Sequence, residues 1–289
     1  MTQRLFAVAL FVVACASITA QLPPACRISA SNIQFGNFAG DTLDVTGTIS
    51  INCDPGVAYF LGIDNGSNGT TVFTRNMNGP LGALLGYQLF QDPARTMNWG
   101  NTPGIDTVNG IGTGNFQTVF VYARIPTNQY AQDGSYTDPR VQVNVYAPSS
   151  FLTATSRFSV NATVLKSCDV SATSLNFAAY TGGPINATSI IAVTCTVSTS
   201  FIVLLDAGTA PGASTLSRRM TGPGGSFLAY RLCRDPALTL NWGNNSGADT
   251  ESGTGTGAPQ LLTVFGQLPG GQDSNPGAYS DTITVFVIF

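Results

Sequence analysis

The cysteines are the residues of this sequence with the clearest chemistry. Cys26 and Cys53 are 27 positions apart, and Cys168 and Cys195 have the same separation. Two thiols at one repeated spacing are typical of one disulfide in each of two similar domains, if the chain reaches an oxidising compartment. A metal site is a poor alternative, because the sequence has no histidine and no CxxC pair.

No other residues form a catalytic pattern. Without histidine there is no Ser-His-Asp or Cys-His arrangement, and GxSxG is absent. The glycine-rich stretch at 110–114 lacks the Lys-Ser/Thr of a phosphate loop and predicts a hairpin. Asp92 and Asp235 precede prolines, which is typical of turns rather than of general acids. We therefore expect no enzyme, no cofactor and no metal.

Two tryptophans are candidates for sugar stacking. Trp99 and Trp242 each lie in an Asn-Trp-Gly motif. An indole can stack on a sugar ring, or it can anchor a loop to the core with its N–H bonded to the backbone. The occurrence of the same motif at both places favours the anchoring role.

These residues belong to two copies of one pattern. From Met77 to Asp138 every repeated position recurs 143 residues later without a gap. Self-similarity at so long a period indicates two copies of a domain rather than an array of short repeats. The paired positions include Tyr87 and Tyr230, Asp92 and Asp235, Trp99 and Trp242, and Asp138 and Asp281.

The first twenty residues predict a secretory signal rather than part of a domain. Arg4 is followed by an apolar run over 5–13, too short to span a bilayer, and small residues up to Ala20 offer a cleavage site. The mature chain would then begin near Gln21. Cys15 leaves a second possibility open, because Val12-Val13-Ala14-Cys15 resembles a lipoprotein signal.

Cys233 is the odd cysteine of the mature chain. Its counterpart in the first copy is Phe90, a core-type residue. A buried free thiol and an intermolecular bridge are both open, and we favour the thiol.

Composition argues against nucleic acid as a partner. Only 9% of the residues are charged, the net charge is -3, and Lys166 is the single lysine. A nucleic-acid surface needs a basic patch, which this chain lacks.

The apolar pattern predicts an all-β protein. Apolar residues alternate over Val45–Ile51, Val141–Val145 and Ile283–Val287, as they do in half-buried strands. Turn sequences such as Asn65-Gly66 lie between them. We expect two tandem β-sandwich domains, at 21–166 and 167–289.

Taken together, the motifs of both copies resemble the spore coat protein U domain, a family that includes subunits of archaic chaperone–usher pili. The resemblance extends from Cys26 to Phe289. Its motifs are the two cysteines 27 residues apart, Tyr-x-Leu before Asp-Pro, Trp-Gly, Gly-Thr-Gly, Ile125-Pro126 or Leu268-Pro269, Gly-x-Tyr-x-Asp and a Val-rich strand. It implies immunoglobulin-like, pilin-type sandwiches that lack the last strand, which a neighbouring subunit or a periplasmic chaperone supplies.

The two copies differ after the Val-rich strand. The first copy continues into an alternating segment at about 153–166, which we expect to close its sandwich from within as an internal donor strand. The second copy has no such segment after Phe289, so we expect it to take a strand from a partner. The alternatives are a domain that is complete with one strand fewer and a terminal strand that swings across to close the sheet. The inward residues of the internal donor are Phe158, Val160, Ala162 and Val164, and those of the receiving edge are Ile283, Val285, Val287 and Phe289.

The short lead before Cys26 sets the expected position in a fibre. Residues 21–25 are too few and too rich in proline to complete another sandwich. A subunit that receives a strand and gives none belongs at the tip.

Differences between the copies suggest a binding surface. Apolar residues stand in loops of the first copy where the second has small or polar residues, and an exposed cluster of them would need a purpose. The alternative is that they fold inward and cap the core. The residues are Leu81, Ile105, Val108, Ile111 and Tyr130.

We therefore expect an adhesin at the tip of an archaic chaperone–usher pilus, exported through the periplasm to the cell surface, that attaches cells to abiotic or host surfaces and supports biofilm formation. Its partners would be a periplasmic chaperone, an outer-membrane usher and the next subunit. A structural coat or minor fimbrial subunit without a binding site is the alternative. A carbohydrate-binding module or glycan-active enzyme would need convergent carboxylates that the sequence does not show.

Overall fold

A computed structural model describes residues 26–289. The expected signal at 1–20, with Cys15, and the segment 21–25 lie outside the described residues. Strands make up almost all of the regular structure, which confirms the all-β prediction. No helix in the described part of the chain is long and apolar enough to cross a bilayer.

Ten strands form the first domain. They are β1 Cys26–Ala30, β2 Ile33–Phe38, β3 Leu43–Cys53, β4 Ala58–Ile63, β5 Arg75–Asn78, β6 Leu84–Phe90, β7 Val108–Ile111, β8 Gln117–Ile125, β9 Gly134–Tyr146 and β10 Leu152–Val164. A single 3-10 turn, Pro80–Gly82, lies between β5 and β6.

Eight strands form the second domain. They are β11 Cys168–Ala172, β12 Ile185–Cys195, β13 Ser200–Leu205, β14 Arg218–Thr221, β15 Phe227–Cys233, β16 Glu251–Thr254, β17 Gln260–Leu268 and β18 Val285–Ile288. The turn Pro223–Gly225 repeats that of the first domain.

The sheet of the first domain curls round so that its two halves face each other. Its strand order is β1-β3-β8-β6-β5-β9-β10-β2, and β4 with β7 joins it through β9. Alternation along the strands places one set of side chains between the halves, as in β10, where every second residue from Phe158 to Val164 is buried.

The second domain repeats this plan with two differences. Its order is β11-β12-β17-β15-β14 in one sheet and β16-β13-β18 in the other. Residues 173–184, which correspond to the region of β2, contain no strand, and no described strand takes the place of β10. The apolar cores of the two domains are separate.

Both predicted disulfides are present. Cys26 is bonded to Cys53 between β1 and β3, and Cys168 to Cys195 between β11 and β12. Cys233 is a buried free thiol at the end of β15, and burial raises its pKa.

Candidate strand-accepting groove and apolar pole

β10 completes the first domain from within. It pairs antiparallel with β9 along its whole length and parallel with β2. Its inward residues are buried in the core, and they are the predicted set Phe158, Val160, Ala162 and Val164. The strand begins at Leu152 and ends at Val164, within two residues of the expected limits at each end.

The second domain has a groove in the place that β10 occupies in the first. It has a volume of about 1030 Å³ and lies between residues 172–180 on one side and 274–283 on the other. Leu228, Tyr230 and Leu232 of β15 form its floor. This is the position between the counterparts of β2 and β9, which β10 fills in the first domain.

The walls of the groove are less buried than their counterparts. Leu175, Phe177 and Tyr180 are half-buried, whereas the matching residues of β2 are buried beneath β10. Val285 and Val287 are also half-buried, although the corresponding valines of β9 are inaccessible. One strand laid in the groove would cover both walls.

β18 is the free edge beside this groove. Among the described strands it pairs only with β13, and its remaining edge is the one that faces the groove. The structure places Ile283 before the strand and Phe289 after it, so the predicted receiving edge is longer than the strand observed. Phe286 and Ile288 point outward and are exposed.

A carboxylate lies in one wall of the groove. Asp281 accepts a hydrogen bond from the Tyr230 hydroxyl at 2.7 Å and from the Thr209 amide at 2.8 Å. Burial raises the pKa of Tyr230, and the bond to Asp281 raises it further. The first domain has the same pair, Tyr87 and Asp138 at 2.8 Å, buried under β10. The groove of the second domain therefore has the same tyrosine–aspartate hydrogen bond as the site that β10 fills in the first domain.

A buried arginine ties loops to the core in each domain, and sequence reasoning missed both. Arg75 donates to the carbonyls of Asp64 at 2.7 Å, Ile63 at 3.0 Å and Trp99 at 2.6 Å. Burial lowers its pKa to about 10. Arg218 makes the matching bonds in the second domain. Their recurrence 143 residues apart was the signal that could have found them.

The two tryptophans anchor strands and do not face solvent. Trp99 and Trp242 are fully buried, and each indole N–H donates to a backbone carbonyl, of Leu61 at 2.8 Å and of Val203 at 3.0 Å. Neither indole presents a face on which a sugar could stack.

The Asp-Pro motifs form turns, as predicted. Asp92 accepts hydrogen bonds from the amides of Thr96 and Met97, and the bond from Met97 is the main reason that its pKa is lowered. Asp235 repeats this arrangement. The described residues contain no cluster of three or more His, Cys, Asp or Glu that could hold a metal ion.

Three of the five predicted loop residues lie at one end of the first domain, but Val108 and Ile111 belong to strand β7 and not to a loop. β9 has 13 residues, a length of roughly 40 Å, and its Tyr146 end pairs with Phe60 of β4. Ile111 and Val108 pair with β4 there, and the loop at 101–107 contacts Tyr146 through Asn101. We call this end the distal pole, because the chain leaves β10 for the second domain at the opposite end. Ile105 is 82% exposed and Ile111 is 62% exposed.

Leu81 and Tyr130 lie at the other end, so the expected cluster of five does not form. Leu81 is 99% exposed, but its turn packs where β9 begins, beside Gly134. The Tyr130 carbonyl accepts a hydrogen bond from the Val197 amide of the second domain at 3.2 Å. Val108 is half-buried against the core, so the capping alternative applies to that residue.

The distal pole also has exposed apolar residues that sequence comparison missed. Phe116 is 64% exposed and precedes β8, and Phe151 is 75% exposed in the turn between β9 and β10. Leu152 beside it is exposed as well. Phe151 has no counterpart, because the second copy has no described turn of this kind, so comparison of the copies could not find it.

The fold and the groove define a class of protein: two tandem β-sandwiches, one closed by its own strand and one open along an edge. The sequence profile of the Spore Coat Protein U domain matches residues 12–144 and again residues 154–286. The chain belongs to the Spore Coat Protein U domain family.

Two known proteins show how far the similarity extends. Protein U of Myxococcus xanthus is 29% identical over 161 residues, which cover 50% of this chain and 89% of that protein. The structure is similar to the chaperone–tip adhesion subunit pre-assembly complex CsuC-CsuE, from archaic chaperone-usher Csu pili of Acinetobacter baumannii. The TM-score is 0.53 at 19% identity, over 92% of this chain and all (100%) of that chain. This second likeness supports the fold.

Proposed function

We propose that this protein is a two-domain adhesin at the tip of an archaic chaperone–usher fimbria. The second domain takes a donor strand, first from a periplasmic chaperone and then from the next subunit. The first domain contacts a surface and supports biofilm formation. The protein reaches the cell surface through the periplasm and an outer-membrane usher, and it has no catalytic role.

One observation carries this proposal: the groove of the second domain occupies the place of β10 in the first. Its floor and walls are apolar, and β18 leaves an edge unpaired beside it. Open apolar grooves and free strand edges promote association with other chains. The four inward residues of β10 show which donor fits, namely a strand with apolar residues at every second position.

The position at the tip is supported by the use of β10. This strand lies between the two domains and is consumed in closing the first one, so it is not available to another subunit. The structurally similar CsuE is described as a tip adhesion subunit.

The distal pole is the surface that we propose to make contact. In the second domain the corresponding pole meets the first domain, where the Val197 amide donates to the Tyr130 carbonyl. That pole carries Ala248, Glu251 and Thr254 in place of the apolar residues. The apolar residues therefore occur at the pole that is open to solvent, and the polar or small residues occur at the equivalent pole that meets the first domain.

Closing the groove with a tethered strand tests the proposal. A copy of residues 147–166 appended after Phe289 supplies both the turn and the strand that close the first domain. We expect the extended protein to be monomeric and to unfold cooperatively, whereas the unextended chain aggregates unless a chaperone is present. The readouts are size-exclusion chromatography and urea unfolding. A stable, cooperative monomer of the unextended chain would contradict the proposal.

A structural coat or minor fimbrial subunit without a binding site is the second candidate. The match to the Spore Coat Protein U domain favours it, together with the identity of 29% with Protein U over half of the chain. Both candidates need a filled groove, so they differ only in whether the distal pole binds a surface.

A further inference from the structure

The chain itself shows how one module follows another when a donor strand joins them. β10 ends at Val164 and β11 begins at Cys168, so three residues separate the donor strand from the next module. They are held at both ends: the Leu165 amide donates to the Phe38 carbonyl at 2.8 Å, and the Ser167 amide donates to the Thr196 hydroxyl at 3.3 Å. Such a short, bonded link brings the two modules into contact.

The contact between the modules has a small set of polar bonds. The Val197 amide donates to the Tyr130 carbonyl at 3.2 Å, and the Ser198 hydroxyl donates to the Gln132 side chain at 3.3 Å. The Tyr130 ring packs over Gly40 of its own domain, where a β-carbon would lie 3.5 Å from it. We call the two bonds between the modules the joint.

The second domain has the same end, with the same internal frame. In the first domain Gln129 accepts from the Gly86 amide at 2.7 Å, and in the second Gln272 accepts from the Ala229 amide at 2.6 Å. Likewise, the Asn128 amide donates to the Gly40 carbonyl at 3.0 Å, and the Gly271 amide donates to the Gly182 carbonyl at 2.9 Å. The end of the second domain is therefore built for the same kind of contact.

Nothing covers this end of the second domain within the described structure. Tyr130, Gln132 and Asp133 are half-buried at the joint, while their counterparts Asp273, Asn275 and Pro276 are exposed. We call the surface of Gly182, Asp273 and Asn275 the open pole. A strand lying in the groove in the orientation of β10 would leave the second domain at this pole, next to Tyr180.

We propose that the open pole is the docking surface for the first module of the next fimbrial subunit, arranged as in the joint, and that Asp273 selects a module with no acidic residue at the position of Asp169. The inference rests on the proposed function, because a donor strand must bring that module to the pole. It adds a second recognition surface, separate from the groove.

The charge preference follows from the exchange of Tyr130 for Asp273. Asp169 lies in β11 directly after the link and pairs with Thr194, three residues before the Val197 amide that donates to the Tyr130 carbonyl. The pKa of Tyr130 is raised by burial first and then by the carboxylates of Asp169 and Asp41. The neutral side chain of Tyr130 is not repelled by these carboxylates. A carboxylate in its place would be repelled by an acid on the arriving module and stabilised by a base.

A tandem protein tests this without an unidentified partner. The full chain is followed by a copy of residues 147–289 and then by a copy of residues 147–166, so that every groove is filled. In this tandem Asp273 of the second module faces the Asp169 copy of the third. Cys233 is replaced by alanine throughout. Asn275→Cys in the second module and Ser198→Cys in the third module then report docking by forming a disulfide. The matched pair Gln132→Cys and Ser198→Cys at the first joint is the control.

We expect the control pair to crosslink readily and the Asn275–Ser198 pair to respond to charge. Asp169→Arg in the third module, or Asp273→Arg in the second, should raise the crosslinking rate about fivefold, and the two together should lower it again, as a contact worth about 1 kcal/mol would. A monomeric tandem with no crosslink, or with no dependence on the charges, would overturn this inference alone. Aggregation of the tandem would overturn the proposed function and this inference with it.

Discussion

At the scale of single residues, each domain depends on one arginine that is completely enclosed. Arg75 and Arg218 have no exposed surface, and each satisfies several backbone carbonyls of loops that meet at the end of a strand. Such carbonyls would otherwise be buried without a partner, which costs about 1 to 3 kcal/mol each. The arginines thus hold the geometry of these loops.

The change Arg75→Met tests this role. Methionine fills a similar volume but leaves the carbonyls of Ile63, Asp64 and Trp99 unpaired, so we expect a loss of roughly 3 kcal/mol in the free energy of unfolding. Urea denaturation of the strand-extended protein measures it. Arg140→Met, at an exposed position, is the control and should change stability little. Equal, small effects of both variants would show that the buried bonds contribute little.

The cysteines give a second prediction at this scale. Non-reducing peptide mapping should find Cys26 linked to Cys53 and Cys168 linked to Cys195. Cys233 should react with an alkylating reagent only after unfolding, because it is buried and its pKa is raised, so that little of the reactive thiolate is present. Rapid alkylation of the folded protein, or a bridge that includes Cys233, would contradict this assignment.

At the scale of elements, the two domains differ by the presence of one strand. β10 in the first domain buries the side chains of β2 and β9, and its absence from the second leaves the corresponding walls half-buried. The segment at 173–184 forms no strand, because the strand with which β2 pairs in the first domain has no counterpart there. We therefore expect residues 173–184 to form a strand when the groove is occupied.

Alternation in the donor strand can be tested with two matched changes. In the strand appended after Phe289, Val160→Asp places a carboxylate in the apolar groove, and we expect it to cost at least about 3 kcal/mol and to restore aggregation. Arg157→Asp in the same strand faces solvent, as in β10, and should leave the protein monomeric. Light scattering and urea unfolding compare them. If both variants behave alike, the appended strand does not lie in the groove as β10 lies in the first domain.

At the scale of the whole molecule, the two domains are arranged head to tail. The pole of the second domain near Cys195 meets the first domain at Tyr130 and Gln132. The corresponding pole of the first domain, the distal pole, is free of such a contact in the described structure. Equivalent surfaces therefore have different surroundings, and their residues differ accordingly.

The double change Ile105→Ala with Ile111→Thr tests the distal pole by giving it residues of the second domain. Both side chains are exposed, so the melting temperature of the strand-extended protein should stay nearly the same. Attachment to hydrophobic surfaces should fall, since apolar contact contributes roughly 25 cal/mol per Å² and many tips act together on one cell. Val108 is left unchanged, because it packs against the core.

Leu81→Gly is the matched control for this experiment. It also removes an exposed apolar side chain and introduces the residue of the second copy, but at the opposite end of the domain. Attachment should not change. If Leu81→Gly lowers attachment as much as the double change does, the binding surface is not the distal pole. If neither variant affects it, the coat or minor-subunit alternative gains support.

Much of this architecture could be predicted from local sequence. Three kinds of local pattern allowed this: the spacing of the cysteines, the alternation in β3, β9 and β10, and the turn motifs at Asp92 and Asp235. Each involves residues of a single strand or turn, or a spacing that recurs in both copies. The inward face of β10 was assigned correctly for the same reason, since alternate residues of a strand point to opposite sides.

The ends of the domains were decided only by the tertiary structure. Leu81 stands in a turn, Tyr130 in a loop and Ile111 at the end of β7, all at positions where the copies differ. The local sequence does not reveal at which end of a strand roughly 40 Å long each of them emerges. Strand pairing sets that: it places Ile111 at the distal pole, Leu81 at the opposite end and Tyr130 against the second domain. Sequence determined the repeat, the disulfides and the faces of the strands, because these follow from local periodicity. The groove and the two poles arise from contacts between distant segments, and only the folded chain brings those together.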